Sequence, residues 1–221
     1  MAEQEYDKVH GKRFAVSLQA IRNLWQPTKE MRVIEIGWPG SFSALFTDAF
    51  GILPESTNFH LSYENRWKYL PSDEYDLVIC MEILEHLNDP IEPDWDLDRC
   101  ATFKEEGART LLRECYRIIK PGGHFFLTTP NIASWHGIGL ILAGASPMSY
   151  GPHTREYSFN YIIQNLLPPE RYKIIRAWTE DVYSEIHPES EMRRMTDTKN
   201  MLQHRVDSRN RGETTFVWCE K

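Results

Sequence analysis

Several features that would send this chain out of the cell or into a membrane are scarce or missing. Its 221 residues hold only four cysteines, Cys80, Cys100, Cys115 and Cys219, with no C-x-x-C pair and no framework spacing. Three of them fall in stretches that read as strand or helix, so buried free thiols are expected rather than a disulfide scaffold. The longest aliphatic run, Ile138 to Ala145, is far short of the roughly 20 residues a membrane helix needs. Met1 to Arg13 is charged and carries no apolar core, so a signal peptide is not expected. Basic excess is absent too. With 25 Lys and Arg against 32 Asp and Glu the formal charge is −7, which argues against nucleic acid or an anionic membrane as the main partner. No internal repeat or low-complexity run is present. The expectation is a soluble, cytoplasmic protein whose partner is a small molecule.

What is present suits one domain. Hydrophobic residues make up 41% of the chain, and seven Trp, ten Tyr and ten Phe supply large core side chains. Phe14, Leu18, Ile21 and Trp25 recur at helical spacing, with Pro27 closing that helix. Val33-Ile34-Glu35-Ile36 reads as a strand covered on both faces. Gly37-Trp38-Pro39-Gly40 then makes a turn, and Ser41 is the expected N-cap of a helix stopped by Gly51. Strand, glycine turn and helix in that order bring backbone N–H groups to a ligand.

Further along, Asn58 to Tyr63 reads as a strand ending at Glu64, and Tyr75 to Cys80 as a second buried strand followed by Met81-Glu82-Ile83-Leu84-Glu85-His86-Leu87. A long helix is expected over Thr102 to Ile119, ended by Pro121-Gly122-Gly123, then a strand over His124 to Thr129. Tyr157 to Leu167 reads as a helix. Tyr172 to Trp178 and Thr214 to Cys219 read as closing strands, with a polar helix over Glu189 to His204 between them. Alternating strands and helices give an α/β fold with a mainly parallel sheet and an antiparallel strand at the C-terminal end. Gly51 to Tyr75 is too short for a full helix and strand, so the sheet is expected to be shortened there. Residues 1–221 form one domain on this reading, with a helical segment at 1–30, a loop and helix at 131–170, and a polar insertion at 180–212.

Three of these stretches, in this order and spacing, resemble the class I S-adenosylmethionine-dependent methyltransferases, a family with a Rossmann-like doubly wound sheet. They are Val33 to Phe42, Tyr75 to Leu87 with its E-x-L-E-H-L tail, and Leu111 to Gly123 with its P-G-G turn. The resemblance spans about Met31 to Pro130. It implies S-adenosylmethionine as cofactor, with Glu35 facing the methionine amino group and Gly37, Trp38 and Gly40 forming the turn beneath it. It also implies Glu64 on the ribose hydroxyls and Met81 and Glu82 beside the methionine moiety. Only Gly37 and Gly40 stand for the glycines of the family's G-x-G-x-G, and both lack the Cβ that would block close backbone approach.

The acceptor side of similar methyltransferases lies after the fifth strand, where this chain has His153-Thr154-Arg155-Glu156-Tyr157. His153, with Arg155 beside it, is the candidate general base for a hydroxyl acceptor. Relatives with this pattern act on sugars or other small metabolites, so O-methylation of such an acceptor is the expected reaction. A degenerate, non-catalytic relative serving as a binding partner is the alternative. Tyr116 and Lys120 match a reductase's Y-x-x-x-K, but G-x-G-x-x-G is missing after the first strand, which excludes that class. No metal centre is expected: Asp94, Asp96 and Asp98 imitate a calcium loop, but Arg99 stands where its turn requires glycine.

Overall fold

A computed structural model describes residues 3–37, 40–57, 69–87, 106–148, 152–183 and 185–221. The N-terminal helix α1 (Glu3–Leu24) leads into β1 (Val33–Ile36), α2 (Ser41–Phe50) and a two-residue strand β2 (Glu55–Ser56). Next come β3 (Tyr75–Met81), a 3₁₀ turn over Leu84–His86, α3 (Glu106–Ile118) and β4 (Ile119–Pro130). The last third holds α4 (Trp135–Leu142), β5 (Lys173–Glu180), α5 (Glu189–Leu202) and β6 (Thr214–Glu220).

The described strands form one sheet in the order β2-β1-β3-β4-β6-β5. β2, β1, β3 and β4 run parallel, and β6 lies antiparallel between β4 and β5. This is the mainly parallel sheet with antiparallel C-terminal pairing that the alternating elements predict.

Side chains of one strand alternate between faces, and here both faces are covered. Leu77 and Ile79 of β3 join Phe14, Ile21 and Trp25 of α1 and Phe42 and Phe46 of α2 in one core. Val78 and Cys80 point the other way, toward Leu111, Leu112, Cys115 and Ile118 of α3. Such two-sided burial explains why β1 and β3 are mostly apolar on both faces, Glu35 and Asp76 excepted. Cys80, Cys115 and Cys219 are free thiols in these cores, as expected; Cys100 lies outside the described residues. Among the described residues no helix is long and apolar enough to cross a membrane.

Several boundaries differ from the sequence reading. Ser41 is the first helical residue of α2, and Gly40 takes the N-cap position without a side-chain cap. Gly51 does end the helix, in the left-handed conformation, its N–H donating to the Thr47 carbonyl. Asn58 to Glu64 lies outside the described residues, and Glu55–Ser56 provides the strand beside β1. Hydrogen bonds that tie Ser56 and Thr57 to Gly37 hold it there. β4 begins at Ile119 and runs through Pro121-Gly122-Gly123, because Ile119 already pairs with Tyr75. The chain reaches His124 through a register shift opposite Tyr75 and Leu77, with Gly122 at φ +75°.

The expected helix over Tyr157 to Leu167 starts at Phe159, because Tyr157 bridges to Asn131 and Ser158 caps the new helix. After one α-turn, Ile162–Leu166 widens to π geometry, which keeps Ile162 and Leu166 in the core ahead of Pro168.

Candidate active site

β1 and β3 end side by side, Ile36 pairing with Cys80, so the residues that follow each strand emerge at one edge of the sheet. Gly37 leaves β1 with φ +110°, and a Cβ there would sit 2.9 Å from Ile83 Cδ1. That conformation and that contact together require glycine. The Gly37 N–H donates to Thr57 Oγ1 at 2.8 Å, and Ser56 Oγ donates to the Gly37 carbonyl at 2.7 Å. The turn is thus held from the β2 side, although its middle residues, Trp38 and Pro39, lie outside the described residues. At Gly40 a Cβ would meet nothing within 4 Å among the described residues, which leaves the backbone entering α2 approachable from them.

Glu35 is 8% exposed. Its Oε2 accepts a short hydrogen bond from Ser43 Oγ in the first turn of α2. Burial pushes its carboxyl up to about 7, against the opposing pull of Ser43 and Arg13. Glu82, just past β3, has φ +53°. Its N–H donates to the Thr128 carbonyl, and Oε1 accepts from Thr128 Oγ1, each at 2.9 Å. Glu82 Oε2 lies 3.3 Å from the guanidinium of Arg13, a side chain from α1 that is almost fully buried. Tyr183 completes this group, accepting from Arg13 at 3.2 Å and donating to Glu82 at 3.5 Å. Two acidic groups and one cation are therefore gathered at the end of β1 and β3.

The raised value of Glu35 carries a pH dependence. A carboxyl that binds its proton more tightly folded than unfolded stabilises the fold in acid, and stability falls as pH rises from 4.5 through about 7. The full difference amounts to about 3 kcal/mol. Glu35→Gln is therefore expected to unfold at higher urea than the parent at pH 8 and at a similar concentration at pH 5. Equal shifts at both pH values would show that this carboxyl ionises without cost.

Beyond Glu82, the 3₁₀ turn places Glu85 in full burial, with Oε2 accepting from Thr129 Oγ1 at 2.9 Å. Glu85 Oε1 has no hydrogen-bond partner among the described residues. Burial, with the Glu82 charge adding to it, pushes this carboxyl well above the usual range. The segment from His153 closes over this turn: the N–H groups of Thr154 and Arg155 both donate to the Glu85 carbonyl. His153 is buried, its Nδ1 2.6 Å from Glu156 Oε1 and its Nε2 4.0 Å from Glu85 Oε1. The His86 ring meets it edge to face at 4.8 Å. Arg155 turns the other way, its guanidinium 5.1 Å from the Tyr157 ring centre and 5.9 Å from that of Tyr161.

Of the residues singled out from sequence, Glu35, Gly37, Gly40, Met81 and Glu82 thus gather at one sheet edge, and His153 joins them through Glu85. Trp38 and Glu64 lie outside the described residues. Arg13 and Tyr183 were not legible as site residues. Arg13 does share a helical stripe with buried Ser17, but only the packing of α1 shows that this stripe faces the sheet. Among the described residues, two sets of side chains bring metal-ligating atoms within 4.8 Å of one another: Glu85, His86 and His153, and His136, His187 and Glu213.

Comparison with known proteins gives this arrangement its family. The family model described as "Methyltransferase domain" matches residues 11–162. The ubiquinone biosynthesis O-methyltransferase of Pseudomonas savastanoi pv. phaseolicola is 36% identical over 59 residues, 27% of this chain and 18% of that protein. The chain therefore spans under a fifth of the length of that curated relative. Among solved structures, a SAM-dependent methyltransferase from Archaeoglobus fulgidus superposes with a TM-score of 0.54 at 15% identity, covering 100% of both chains. Haemonchus contortus phosphoethanolamine N-methyltransferase 2, in complex with S-adenosyl-L-methionine, gives 0.53 at 13% identity, covering 93% of this chain and 52% of that one. These likenesses establish the shared fold. With a family match over most of its length and this sheet beneath it, the chain belongs to the methyltransferase-domain family.

Proposed function

We propose that the protein methylates a hydroxyl group of a small-molecule acceptor, a sugar or another metabolite. The observation that carries this reading is the buried His153–Glu156 pair, 2.6 Å apart, seated on the turn that follows Glu82. The partial similarity to a ubiquinone biosynthesis O-methyltransferase points to the same chemistry.

The residues at the sheet edge fit S-adenosylmethionine. Glu35 and Glu82 complement its ammonium and sulfonium charges, Arg13 complements its carboxylate, and Gly37 and Gly40 leave the backbone open to it. Met81 closes the wall at the end of β3, and Trp38 and Glu64 are assigned to the turn and the ribose from sequence. When bound, the cofactor supplies an electrophilic methyl group. The protein's part is to align the acceptor and take its proton, since in-line transfer depends on positioning.

In this reading Glu156 holds His153 Nδ1–H, which leaves Nε2 to accept the proton of the acceptor hydroxyl. Arg155 contributes through position: its N–H bonds the Glu85 carbonyl, and its guanidinium packs on the two tyrosines. Residues 131–170 form the acceptor side.

Incubation with labelled methyl donor and a panel of hydroxyl and amine acceptors tests the proposal. Label is expected on hydroxyls, and His153→Ala is expected to lower kcat by about 10²–10⁴ with little change in cofactor affinity. Undiminished turnover in that variant would remove His153 as the base, and transfer to amines alone would overturn the hydroxyl assignment.

A further inference from the structure

A second cluster of polar side chains lies at the C-terminal end of β4. α4 carries His136, the segment before α5 carries His187, and the residue ahead of β6 is Glu213. The two imidazole rings stack with centroids 4.6 Å apart and planes 13° from parallel. His187 Nε2 makes a short hydrogen-bonding contact with Glu213 Oε1. Each of these two groups is also held from behind. Glu191 Oε2 lies 2.9 Å from His187 Nδ1, and Glu213 Oε2 accepts the Tyr183 N–H at 3.1 Å.

We propose that His136, His187 and Glu213 form a binding site for a divalent transition-metal ion of the zinc type. Two imidazoles and one carboxylate are a donor set for such an ion, and three protein ligands leave a fourth position open. The pairing of His187 with Glu191 is the carboxylate–histidine–metal arrangement, in which the outer carboxylate sets the tautomer and presents Nε2 to the ion. Two carboxylates, Glu191 and Glu213, offset the charge of the cation. Arg194, which also faces His136, acts against it.

The three side chains line one cavity together with Asn131, Glu156 and Tyr183. At about 40 Å³ it has room for an ion and a bound water. Because Tyr183 also bonds Glu82 and Arg13, and Glu156 lines the cavity while holding His153, the site adjoins the methyl-transfer centre. The inference stands independently of the acceptor proposed above.

The test is metal analysis of protein purified without chelator, followed by Co²⁺ titration of the stripped protein with its visible d–d absorption as readout. Roughly one equivalent is expected, with the intense bands of a four-coordinate site. His136→Gln is expected to abolish the bands, and Glu191→Gln to weaken affinity about 10–100-fold, with thermal melts confirming that each variant is folded. His86→Gln separates this site from the Glu85, His86 and His153 group. Bands that survive His136→Gln but vanish in His86→Gln would place the ion there and overturn the proposal. Absence of any Co²⁺ or Zn²⁺ binding by the parent would overturn it as well.

Discussion

Gly40→Asp is expected to abolish S-adenosylmethionine binding while leaving the fold as stable as the parent or slightly more so. Its φ of −139° and ψ of −160° are extended values that any residue adopts. A Cβ there would touch nothing within 4 Å among the described residues, which leaves space for a side chain on their side. Gly40 is moreover the N-cap of α2 and supplies no side-chain acceptor. An aspartate in that position accepts a free N–H of the first turn and complements the helix dipole, a gain of about 1 kcal/mol. The same carboxylate would fill the approach to the backbone and repel the cofactor's own carboxylate. A loss of at least roughly a hundredfold in affinity, about 2.7 kcal/mol, is expected by calorimetric titration, beside an unchanged or raised Tm. Unchanged affinity in the folded variant would place the cofactor elsewhere. Gly37 is a poorer probe. Its φ of +110° and the Ile83 contact would mix backbone strain with lost binding.

Arg13→Met is expected to produce the largest loss of stability of any single change considered. The Arg13 side chain is 2% exposed and lies 3.3 Å from Glu82, with Tyr183 accepting from it and the Phe14 ring 5.2 Å away. It also favours the charged form of Glu35. Methionine keeps the apolar stem but removes the cation, which leaves two carboxyls in a low dielectric without their counter-charge. Removal of one partner from a buried ion pair costs about 3–5 kcal/mol. The loss should be largest near pH 8 and shrink toward pH 5, because Glu35, pushed up to about 7 by burial, then carries its proton and no longer needs the guanidinium. Urea unfolding at the two pH values measures it. A pH-independent loss would assign the effect to packing, and Arg13→Lys should recover part of the stability at pH 8.

The legible parts of this protein were those whose signal is local. β1 and β3 stood out because strands covered on both faces carry mostly apolar residues, and the glycine turn stood out because positive φ and close approach select glycine. The expectation that the sheet is shortened between Gly51 and Tyr75 falls largely on residues 58–68, outside those described. Hidden features were those that depend on what packs against a residue. Glu55–Ser56 has no strand signature; its two residues become a strand because β1 offers an open edge and Gly37 offers hydrogen bonds. Pro121-Gly122-Gly123 reads as a stop, yet pairing of Ile119 with Tyr75 starts β4 before it.

The site divides in the same way. From the sequence by itself came the family resemblance, the cofactor it implies, and the expectation, resting on that resemblance, that Glu35, Gly37, Gly40, Met81 and Glu82 surround it. Tertiary structure alone decided their electrostatics. It placed Arg13 from the far N-terminal helix between the carboxyls, raised Glu35 by burial, and brought Glu156 to His153 while turning Arg155 onto two tyrosines. It also gathered His136, His187 and Glu213 from three separate segments. Periodicity and motif spacing record what neighbours in the chain do, whereas charge pairing and desolvation are set by residues that meet only after the chain has folded.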